Sequence, residues 1–590
     1  MNEPKASAKM ITRLFFRLLP VQILLAAVSS VNGIVSSFFA TNYVGVDAMS
    51  AVGLYGPIST FLGAVSTMLA GGSAILCGKY LGRNEPEKVQ SLFSLNMLFS
   101  ALFAGLCCIV FLILGVFDLT GLFTRDLAVR PLFNRYLIGQ VIGIFPLILG
   151  NQLPVYLSME NKQKRTMAAS LIYIAVNLVL NYLFVQVLHL EAFGLALASS
   201  LGMWVFFAVQ AQVFLNRKAH LQFRFRNLFL RDGLEILRVG FPGAASLGYQ
   251  TIRGLIVNYL IGVFVGSVGI SAFAASNNLL ALFWSVPTGM LAVSRLMISI
   301  SIGEEDRQTL TDVMRIMFNR FIPIMCAISA VIIICAEPFT RIFFQDPGES
   351  VYGMTVWCFR ILPLCMPFSI IAMHFMCYGQ ASGKNVLVHV LALLDGFICV
   401  AGFTALLIRW LDLNSACIAN VLNGVICLLF IVLYAWFNTK CFPRSMDQLM
   451  VIPEAFGADD DERLDITVHN MDEVLAVSRQ ITEFCQKRGL DKRRSYLASL
   501  CMEEMAGNVV DHGFTKDQKK HTVDIRVVHK DDDMILRIRD DCVPFDPEER
   551  KELIDPSDFM KNAGIRLVYK IAKDVDYQNL LGLNVLTIRI

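Results

Sequence analysis

Residues 501–513, CMEEMAGNVVDHG, place a carboxylate, an amide and an imidazole at helical spacing. Glu504 and Asn508 are four positions apart, so they lie one turn apart on the same face of a helix. A carboxylate can take a proton from an attacking water or hydroxyl, and an amide oxygen can bind a magnesium ion. An ordinary solvated helix face would show the same pair, so the flanking sequence has to decide between the two interpretations.

The flanking elements predict a small mixed domain. Strand patterns occur at RLDITVH (463–469), HTVDIRVVH (521–529), MILRIRD (534–540) and NVLTIRI (584–590). Helical patterns occur near 472–489, near 492–512 and from about Gly564. Strands that are adjacent in sequence and antiparallel favour a two-layer α+β sandwich over a doubly wound fold.

Two further motifs follow the Glu504–Asn508 pair, namely RDDCVPFDP (539–547) and NAGIRLVYK (562–570). In this order the three motifs resemble the GHKL-type ATPase domain, and most closely the short anti-sigma-factor serine kinases. The resemblance implies Mg-ATP as ligand, Glu504 as general base, Asn508 as the magnesium ligand and Asp540 as acceptor of the adenine amino group. It also assigns nucleotide contacts to Cys542, Phe545, Gly564 and Arg566.

Two positions depart from that family pattern. Cys542 stands where the family has glycine, which restricts the close approach of the backbone to adenine. Asn562 stands where the first glycine of a G-x-G is usual. Both departures predict weaker nucleotide binding. The resemblance leaves open an ATPase, a protein-serine kinase, and a domain that binds nucleotide without turnover.

The charge distribution separates this domain from the chain ahead of it. The chain is 55% hydrophobic and only 17% charged, too apolar for an ordinary soluble protein. Residues 1–445 carry 30 basic and 19 acidic residues, whereas residues 446–590 carry 21 and 29. A basic apolar body followed by an acidic tail indicates a membrane protein with a soluble extension, and gives no reason to expect a nucleic-acid partner.

Twelve apolar runs in the body are long enough to span a bilayer, which takes about 20 residues. They are 19–42, 51–79, 92–116, 136–157, 167–188, 194–215, 242–266, 270–302, 321–343, 357–381, 386–409 and 415–437. With the N-terminus inside, the cytoplasmic segments hold about 22 Lys and Arg and the outer loops about five. The sequence therefore predicts a multi-pass protein of the plasma (inner) membrane with both termini in the cytoplasm.

The body contains an internal repeat. VGVDAMSA (44–51) matches VGSVGISA (265–272) at an offset of 221, and the same offset pairs Ser73 with Ser294 and Gly82 with Gly303. Repeats of this kind are typical of alternating-access transporters. The predicted organisation is a first six-helix lobe (1–222), a second lobe (223–443), an acidic linker (444–463) and the ATP-binding domain (464–590).

Several patches of the body resemble the multidrug and toxin extrusion (MATE) family: TNYVGVDAMSAVGLYGP, GGSAILCGKYLGRNEPEK, NLVLNYLFV, VGFPGAA and YGQASGK. The resemblance covers roughly residues 10–440. It implies export of small organic or cationic compounds from the cell in exchange for protons or sodium ions, with membrane lipid as surroundings.

Polar residues inside the predicted spans are candidates for ion and substrate coupling. The first lobe offers Asn177 and Asn181, one turn apart, with Ser199 on the next span. The MATE resemblance places a first-helix carboxylate at Ser36, so the usual acid is missing there. Interhelical hydrogen bonds would explain the same residues equally well.

The second lobe carries charges instead of amides. Arg253 lies in the seventh span and Asp395 in the eleventh, and charges at similar depth are expected to pair. Asp395 is the best single candidate for a proton carrier. A purely structural Arg253–Asp395 pair is the alternative.

The leading functional expectation is a secondary exporter, an antiporter, with a cytoplasmic ATP-binding regulatory or kinase-like domain. One alternative is a membrane-tethered serine kinase or sensor that acts on a cytoplasmic protein. Another is a flippase of lipid-linked substrates, because that superfamily shares the repeat architecture.

Overall fold

Two units account for the described residues of this computed structural model. The larger unit comprises Leu18–Gly303 and Val313–Ile452, and the smaller comprises Met1–Arg17, Glu304–Asp312 and Pro453–Ile590. The structure describes residues 6–39, 43–44, 51–122, 129–215, 221–224, 228, 230–458, 461–514, 521–530, 533–544 and 563–590. Within these ranges the larger unit is helical, whereas the smaller unit combines helices with a sheet.

Long apolar helices make up the larger unit, as the apolar runs predict. The helices up to residue 450 are Ala6–Phe39, Gly56–Gly82, Pro86–Val116, Val129–Gly150, Leu153–Met159, Gln163–Asn181, Glu191–Leu215, Leu230–Phe264, Ser267–Phe283, Ser285–Gly303, Arg307–Ile316, Ile322–Ile334, Ala336–Arg341, Ser350–Ile361, Met366–Ser382, Asn385–Leu393, Cys399–Leu411, Asn414–Thr439 and Met446–Met450. Two π-helical turns of five residues each, Met317–Phe321 and Leu394–Ile398, interrupt these helical regions. A third, of six residues, follows Asn181 at Tyr182–Val187.

Eleven helical stretches among the described residues are long and apolar enough to cross a membrane. The remaining predicted span, 242–266, falls on Leu230–Phe264, a continuous helix of 35 residues that is not one of the eleven. This helix carries polar side chains such as Gln250 and Arg253 within its apolar half. Polar residues lower the mean hydropathy of a span without preventing it from lying inside a helical bundle.

The two repeats meet at equivalent positions. Gly78 and Ser299 are 221 residues apart, the offset of the repeat, and a Cβ atom at Gly78 would lie 2.6 Å from Cβ of Ser299. A side chain at Gly303 would likewise overlap the carbonyl oxygen of Lys79. Small residues allow membrane helices to approach closely. Glycine at these crossings therefore lets helices Gly56–Gly82 and Ser285–Gly303 pack backbone to backbone.

The smaller unit is built on a five-stranded antiparallel sheet in the order β1-β2-β3-β5-β4. The strands are β1 (Arg463–Val468), β2 (Val523–Lys530), β3 (Asp533–Asp540), β4 (Asp574–Leu580) and β5 (Leu583–Arg589). Helices Met471–Lys487, Lys492–Asn508 and Ala563–Ile571 complete it. The expected two-layer α+β class is confirmed.

The sequence interpretation of four strands is wrong, because it missed β4. The strand reads DVDYQNL, and its polar residues have low strand propensity. It forms because every residue from Asp574 to Leu580 has a partner on β5. As the last strand in the sheet order, it also needs only one apolar face.

One face of the sheet is covered by apolar side chains. Ile525 and Val527 of β2 alternate with polar residues, as do Leu536 and Ile538 of β3, and all four are at most 1% exposed. They pack with helix residues in a single core, to which Val477, Ile481, Met502 and Met505 contribute. Asn470 caps one of these helices by accepting from Glu473 N, and Asp491 caps the other by accepting from Arg494 N.

Candidate functional sites

Asp540 stands at the end of β3 on the helix-covered face of the sheet. Its side chain is buried, and its Oδ1 accepts hydrogen bonds from Cys542 N at 2.9 Å and Asn584 Nδ2 at 2.8 Å. Burial raises the pKa of the Asp540 carboxyl, and the hydrogen bonds from Asn584 and Cys542 offset part of that rise. A buried carboxylate fixed at a strand end is suited to accept from an exocyclic amino group.

Sequence reasoning missed Asn584. It lies opposite Asp540 in the β3–β5 register, and besides Asp540 its Nδ2 donates to the Cys542 carbonyl oxygen at 3.2 Å. Its Oδ1 accepts from Tyr577 and Asn579 of β4, each at 2.8 Å. A polar residue at the start of the segment NVLTIRI indicated that this position is unusual. Its partner could not be identified, because it depends on which strands are neighbours in the sheet.

The Cys542 side chain fills the position where the related motif has glycine. It is buried, and its Sγ lies 3.1 Å from the place where a Cβ of Gly513 would stand. Nearby, His521 Nδ1 lies 2.9 Å from Asp541 Oδ1. The donor atoms of His521, Asp541 and Cys542 all lie within 4.8 Å of one another, a group that could hold a metal ion. Phe545, the remaining member of this loop, lies outside the described residues.

Glu504 and Gly564 come together although 60 positions separate them. The side chain of Glu504 is half-buried on helix Lys492–Asn508, and a Cβ atom at Gly564 would overlap its carboxylate. Glycine at this position therefore leaves room for the Glu504 carboxylate at the start of helix Ala563–Ile571. This helix N-terminus is the part of the domain where the resemblance places the phosphates.

Asn508 is the last residue of its helix, and a π-helical turn, Val509–Gly513, follows it. π-Helical turns often occur at functional sites because they reorient side chains. Asn508 and Arg566 are both half-buried. The amide oxygen of Asn508 is a chemically suitable ligand for the magnesium ion of Mg-ATP.

The polar residues predicted in the first lobe form one cluster. Asn181 Nδ2 donates to the main-chain oxygen of Asn177 at 2.8 Å, and Asn177 Nδ2 lies 3.5 Å from Ser199 Oγ. Ser199 Oγ donates to Asn32 Oδ1 at 3.4 Å, which adds a residue of the first helix. The side chain of Ser36 lies outside the described part of this helix.

In the second lobe, Arg253 contacts Asp395 through the backbone. Arg253 Nη1 donates to the Asp395 carbonyl oxygen at 3.1 Å, while the Asp395 carboxylate accepts from Asn423 Nδ2 at 2.8 Å. Asp395 lies within the π-helical turn Leu394–Ile398. The sequence did not reveal Asn423 as the partner of the carboxylate.

A cavity of about 620 Å³ lies within the larger unit. The cavity brings together charged and polar side chains whose proximity could not be predicted from the sequence. Its lining includes Lys79, Glu235, Arg238, Phe241, Gln380 and His389. The volume is in the range that holds a small organic molecule.

Comparison with known families matches both parts of the chain. The profile of the MatE family matches residues 20–183 and 242–401, which together make up more than half of the chain. A histidine kinase-like ATPase domain matches residues 468–590. The two MatE stretches begin 222 residues apart, close to the offset of the sequence repeat.

The chain is also similar to individual proteins described as probable multidrug resistance proteins. A probable multidrug resistance protein NorM of Bacillus licheniformis is 24% identical over 262 residues, covering 42% of this chain and 56% of the relative. The corresponding Bacillus anthracis protein is 21% identical over 51% of this chain and 67% of its own length. The chain thus spans little more than half the length of the first of these relatives.

Solved structures show the same fold. An outward-facing multidrug resistance MATE family transporter of the MOP superfamily superposes with a TM-score of 0.66 at 20% identity, covering 72% of this chain and 95% of that one. A MOP superfamily transporter from Pyrococcus furiosus gives a TM-score of 0.64 at 19% identity, covering 71% and 94%. This chain belongs to the MatE family and carries a histidine kinase-like ATPase domain at its C-terminal end.

Proposed function

We propose that this protein is an ion-coupled exporter of small organic compounds whose C-terminal domain binds Mg-ATP and regulates transport. In this proposal both termini lie in the cytoplasm, the protein spans the plasma (inner) membrane, and a proton or sodium gradient supplies the energy. The observation that carries the proposal is the combination of two MatE stretches with one ATPase-like domain.

The transport part rests on the larger unit. Two repeats that pack at Gly78 and Ser299 provide the pseudosymmetric halves that alternating access requires. The cavity that includes Lys79, Glu235, Arg238 and His389 offers polar and charged groups of both signs to a bound small organic compound. Asp395 is the proposed proton carrier, and the hydrogen bond from Asn423 fixes the position of its carboxylate. The Asn177–Asn181–Ser199 cluster is the proposed coupling site of the first lobe.

The regulatory part rests on the smaller unit. In this proposal Asp540 and Asn584 hold adenine, Asn508 holds the magnesium ion and Glu504 faces the phosphates. The hydrogen bond from Asn584 to Asp540 and the closeness of Glu504 to Gly564 support it. Bound Mg-ATP would supply a transferable phosphoryl group there. The ATPase-like match covers one domain, residues 468–590. Transporters powered by ATP use paired nucleotide domains, so this match favours regulation over energy supply.

Dye efflux from proteoliposomes tests the proposal. The full chain is reconstituted and loaded with a fluorescent cationic dye, and proton or sodium gradients are imposed with and without Mg-ATP on the side of the C-terminal domain. We expect gradient-driven efflux without ATP and a changed rate with ATP. Efflux that stops without ATP while the gradient persists would contradict the proposal.

The position of Glu504 favours a second candidate function, phosphoryl transfer to a cytoplasmic protein serine. A carboxylate beside the phosphate region can act as the base that deprotonates a hydroxyl. ATP consumption that continues in liposomes showing no gradient-driven efflux would favour this membrane-tethered kinase over the exporter.

A further inference from the structure

The smaller unit contains a segment from the middle of the chain. Residues Glu304–Asp312 belong to it, whereas Gly303 and Val313 on either side belong to the larger unit. The segment joins two stretches that are long and apolar enough to cross a membrane, Ser267–Gly303 and Arg307–Ile334. The ATPase-like domain therefore includes the turn between two proposed spans.

Three arginines hold this turn against the outer face of the sheet, which is the face opposite the apolar core. Glu304 Oε2 accepts from Arg537 Nη1 and from Arg539 Nη2, each at 3.1 Å. Arg526 Nη1 contacts Asp306 Oδ2, and its Nε donates to Asp465 Oδ1 at 2.6 Å. The side chains of Glu304 and Asp306 are only 3% and 2% exposed, so these ion pairs are buried.

The sheet needs these acids. Arg526 of β2 lies directly opposite Arg537 of β3, and like charges opposite one another destabilise an antiparallel pair. Glu304, Asp306 and Asp465 supply the compensating negative charge. Although burial by itself would raise the pKa of Asp306, Arg526, Arg539 and Arg537 hold it well below the usual carboxyl range. The acidic turn therefore complements the charge of the basic face, which is the outer face of the sheet that carries Arg526, Arg537 and Arg539.

Asp306 also controls the start of a membrane helix. Its Oδ1 accepts from Thr309 N at 2.9 Å and its Oδ2 accepts from Thr309 Oγ1 at 2.6 Å. These are the bonds of an N-cap on helix Arg307–Ile316. The same carboxylate therefore begins the helical stretch that continues to Ile334 and contacts β2 of the sheet.

The linker ahead of the domain packs on the same turn. Arg307 donates to the main-chain oxygens of Pro453 and Glu454, and Gly457, with φ of +82°, leaves space for the Glu305 carbonyl oxygen. A cavity of about 130 Å³ lies among these residues and Arg463. The predicted solvated linker is thus partly a structural element.

The first repeat lacks the acid that makes these contacts. At the offset of 221, Glu304 corresponds to Arg83 and Asp306 to Glu85, which precedes helix Pro86–Val116 in the same way. The capping position is acidic in both repeats, but the position of Glu304 is basic in the first. A transporter fold alone therefore does not require Glu304.

Strand β3 connects this face to the proposed adenine site. Arg537 and Arg539 point to the outer face, and the next residue, Asp540, accepts from Asn584 on the inner face. A displacement of the end of β3 on nucleotide binding would move both arginines that hold Glu304. Energetic coupling between sites can be carried by rigid secondary elements together with networks of hydrogen bonds and salt bridges.

We propose that the acidic turn Glu304–Asp312 is the element through which nucleotide at Asp540 regulates transport, by changing how tightly the turn is held on Arg526, Arg537 and Arg539. This inference rests on the proposed ATP-binding regulatory function. It identifies a specific intramolecular partner for the basic face, an acidic turn between two proposed spans.

The experiment uses the full chain in proteoliposomes under a fixed ion gradient. The efflux rate is measured with and without Mg-ATP for the native protein and for Glu304→Lys, which places a third positive charge beside Arg537 and Arg539. We expect ATP to change native efflux at least about fivefold, the low end of ordinary coupling between sites, and to leave the variant unchanged. Arg589→Gln, an exposed arginine on β5, is the matched control and should respond to ATP like the native protein.

Two further measurements distinguish a loss of the ATP response from a folding defect in Glu304→Lys. One uses a variant with swapped charges, and the other uses amide hydrogen exchange in the native protein. The triple variant E304R/R537E/R539E restores opposite charges and should recover the ATP response. In the native protein, Mg-ATP should change amide hydrogen exchange in residues 304–312, with Thr309 N as the reporter of the Asp306 cap. An unchanged exchange pattern, or an ATP response that persists in Glu304→Lys, overturns the inference.

Calorimetry on the same preparations separates this inference from the proposed function. A native chain that binds no Mg-ATP, or shows no gradient-driven efflux, defeats both proposals. A native chain that binds Mg-ATP and exports at the same rate with and without ATP defeats regulation in both proposals and leaves an exporter that binds nucleotide. An ATP response that is equal in the native protein and in Glu304→Lys defeats the regulatory turn alone and leaves the proposed function standing.

Discussion

The carboxylate of Glu504 lies against the α-carbon of Gly564, so that any side chain at position 564 would overlap it. Gly564→Ala should therefore displace the Glu504 side chain while leaving the fold intact, because the overlapping atom is the end of a flexible side chain. We expect Mg-ATP affinity to fall about tenfold or more, because the added methyl group and the displaced carboxylate would intrude on the region proposed for the phosphates at the start of the helix. Calorimetry on the full chain measures it.

Gly507→Ala provides the control for this substitution. Gly507 lies on the same helix as Glu504, but an added Cβ would meet only the terminal methyl of Met471 at 3.3 Å. An equal loss of affinity in both variants would mean that the effect comes from general packing.

Glu504→Gln should leave Mg-ATP binding nearly unchanged and reduce any phosphoryl transfer by about 100-fold or more, because a general base acts in the transition state. Release of phosphate, or labelling of a protein substrate by γ-labelled ATP, reports the transfer. Glu503→Gln, one position away, is the matched control. Turnover that survives in Glu504→Gln would remove Glu504 from the role of base.

Asp540→Asn should weaken Mg-ATP binding by a loss of about 1.5–3 kcal/mol, because adenine loses a charged acceptor. The same change should not lower the stability of the fold. Since burial raises the pKa of Asp540, its carboxyl contributes most to stability below its unfolded pKa, and the contribution disappears as pH rises through the folded value.

At neutral pH the amide therefore avoids the cost of a buried charge and can still accept from Asn584. Thermal unfolding at pH 5 and pH 8 tests this. The midpoint of unfolding should change less between the two pH values in the variant than in the native protein. A variant that unfolds at clearly lower temperature at both pH values would show that the carboxylate is needed for structure.

Asp306→Asn separates the ion pair from the helix cap, because asparagine caps helices as well as aspartate does. Leaving Arg526 with Asp465 as its remaining acidic partner should destabilise the smaller unit by about 1–3 kcal/mol, seen as a lower thermal midpoint. Because the pKa of Asp306 is held low, this stabilisation is present at all pH values above its unfolded pKa and is lost only as pH falls through the folded value.

The native and Asp306→Asn proteins should consequently differ by a constant amount between pH 5 and pH 8. Asp491→Asn, a cap on an exposed helix start, should change the midpoint little. Equal effects at positions 306 and 491 would assign the loss to the negative charge at a helix start rather than to the ion pair with Arg526.

Asp395→Asn should reduce proton-coupled efflux and leave the protein folded, because the amide keeps the size of the side chain and can still accept from Asn423. Efflux under an imposed pH gradient measures the effect, and substrate counterflow shows whether binding persists. Asp412→Asn, at the end of the same helical region, is the control. An unchanged pH dependence in Asp395→Asn would give Asp395 a packing role only.

Much of this architecture follows from the sequence, since long apolar runs, the repeat and the alternating strands each depend on neighbouring residues alone. The Asp540–Asn584 bond could not be predicted, because it depends on β5 lying beside β3 rather than beside β2. The π-helical turns at Asn181 and Asp395 could not be predicted either, because no residue pattern distinguishes them from an ordinary helix.

The contacts of Glu304 and Asp306 could not be predicted from the sequence for a similar reason. Their partners are on β2 and β3, more than 200 residues later in the chain for Arg526 and Arg537. Arginines that alternate with apolar residues on a strand indicate a solvated face in most domains. Only the packed structure shows that this face is covered by the chain itself.

The origin of that turn has a consequence for biosynthesis. During translation, residues 304–312 emerge and the flanking helices can insert into the bilayer before β1 of the sheet exists. Until Arg526, Arg537 and Arg539 are synthesised, Glu304 and Asp306 remain hydrated, and burial of this turn becomes a late step of maturation. Premature termination ahead of β2 would leave an inserted transporter with two hydrated acids, and their exposure would distinguish incomplete chains from finished ones.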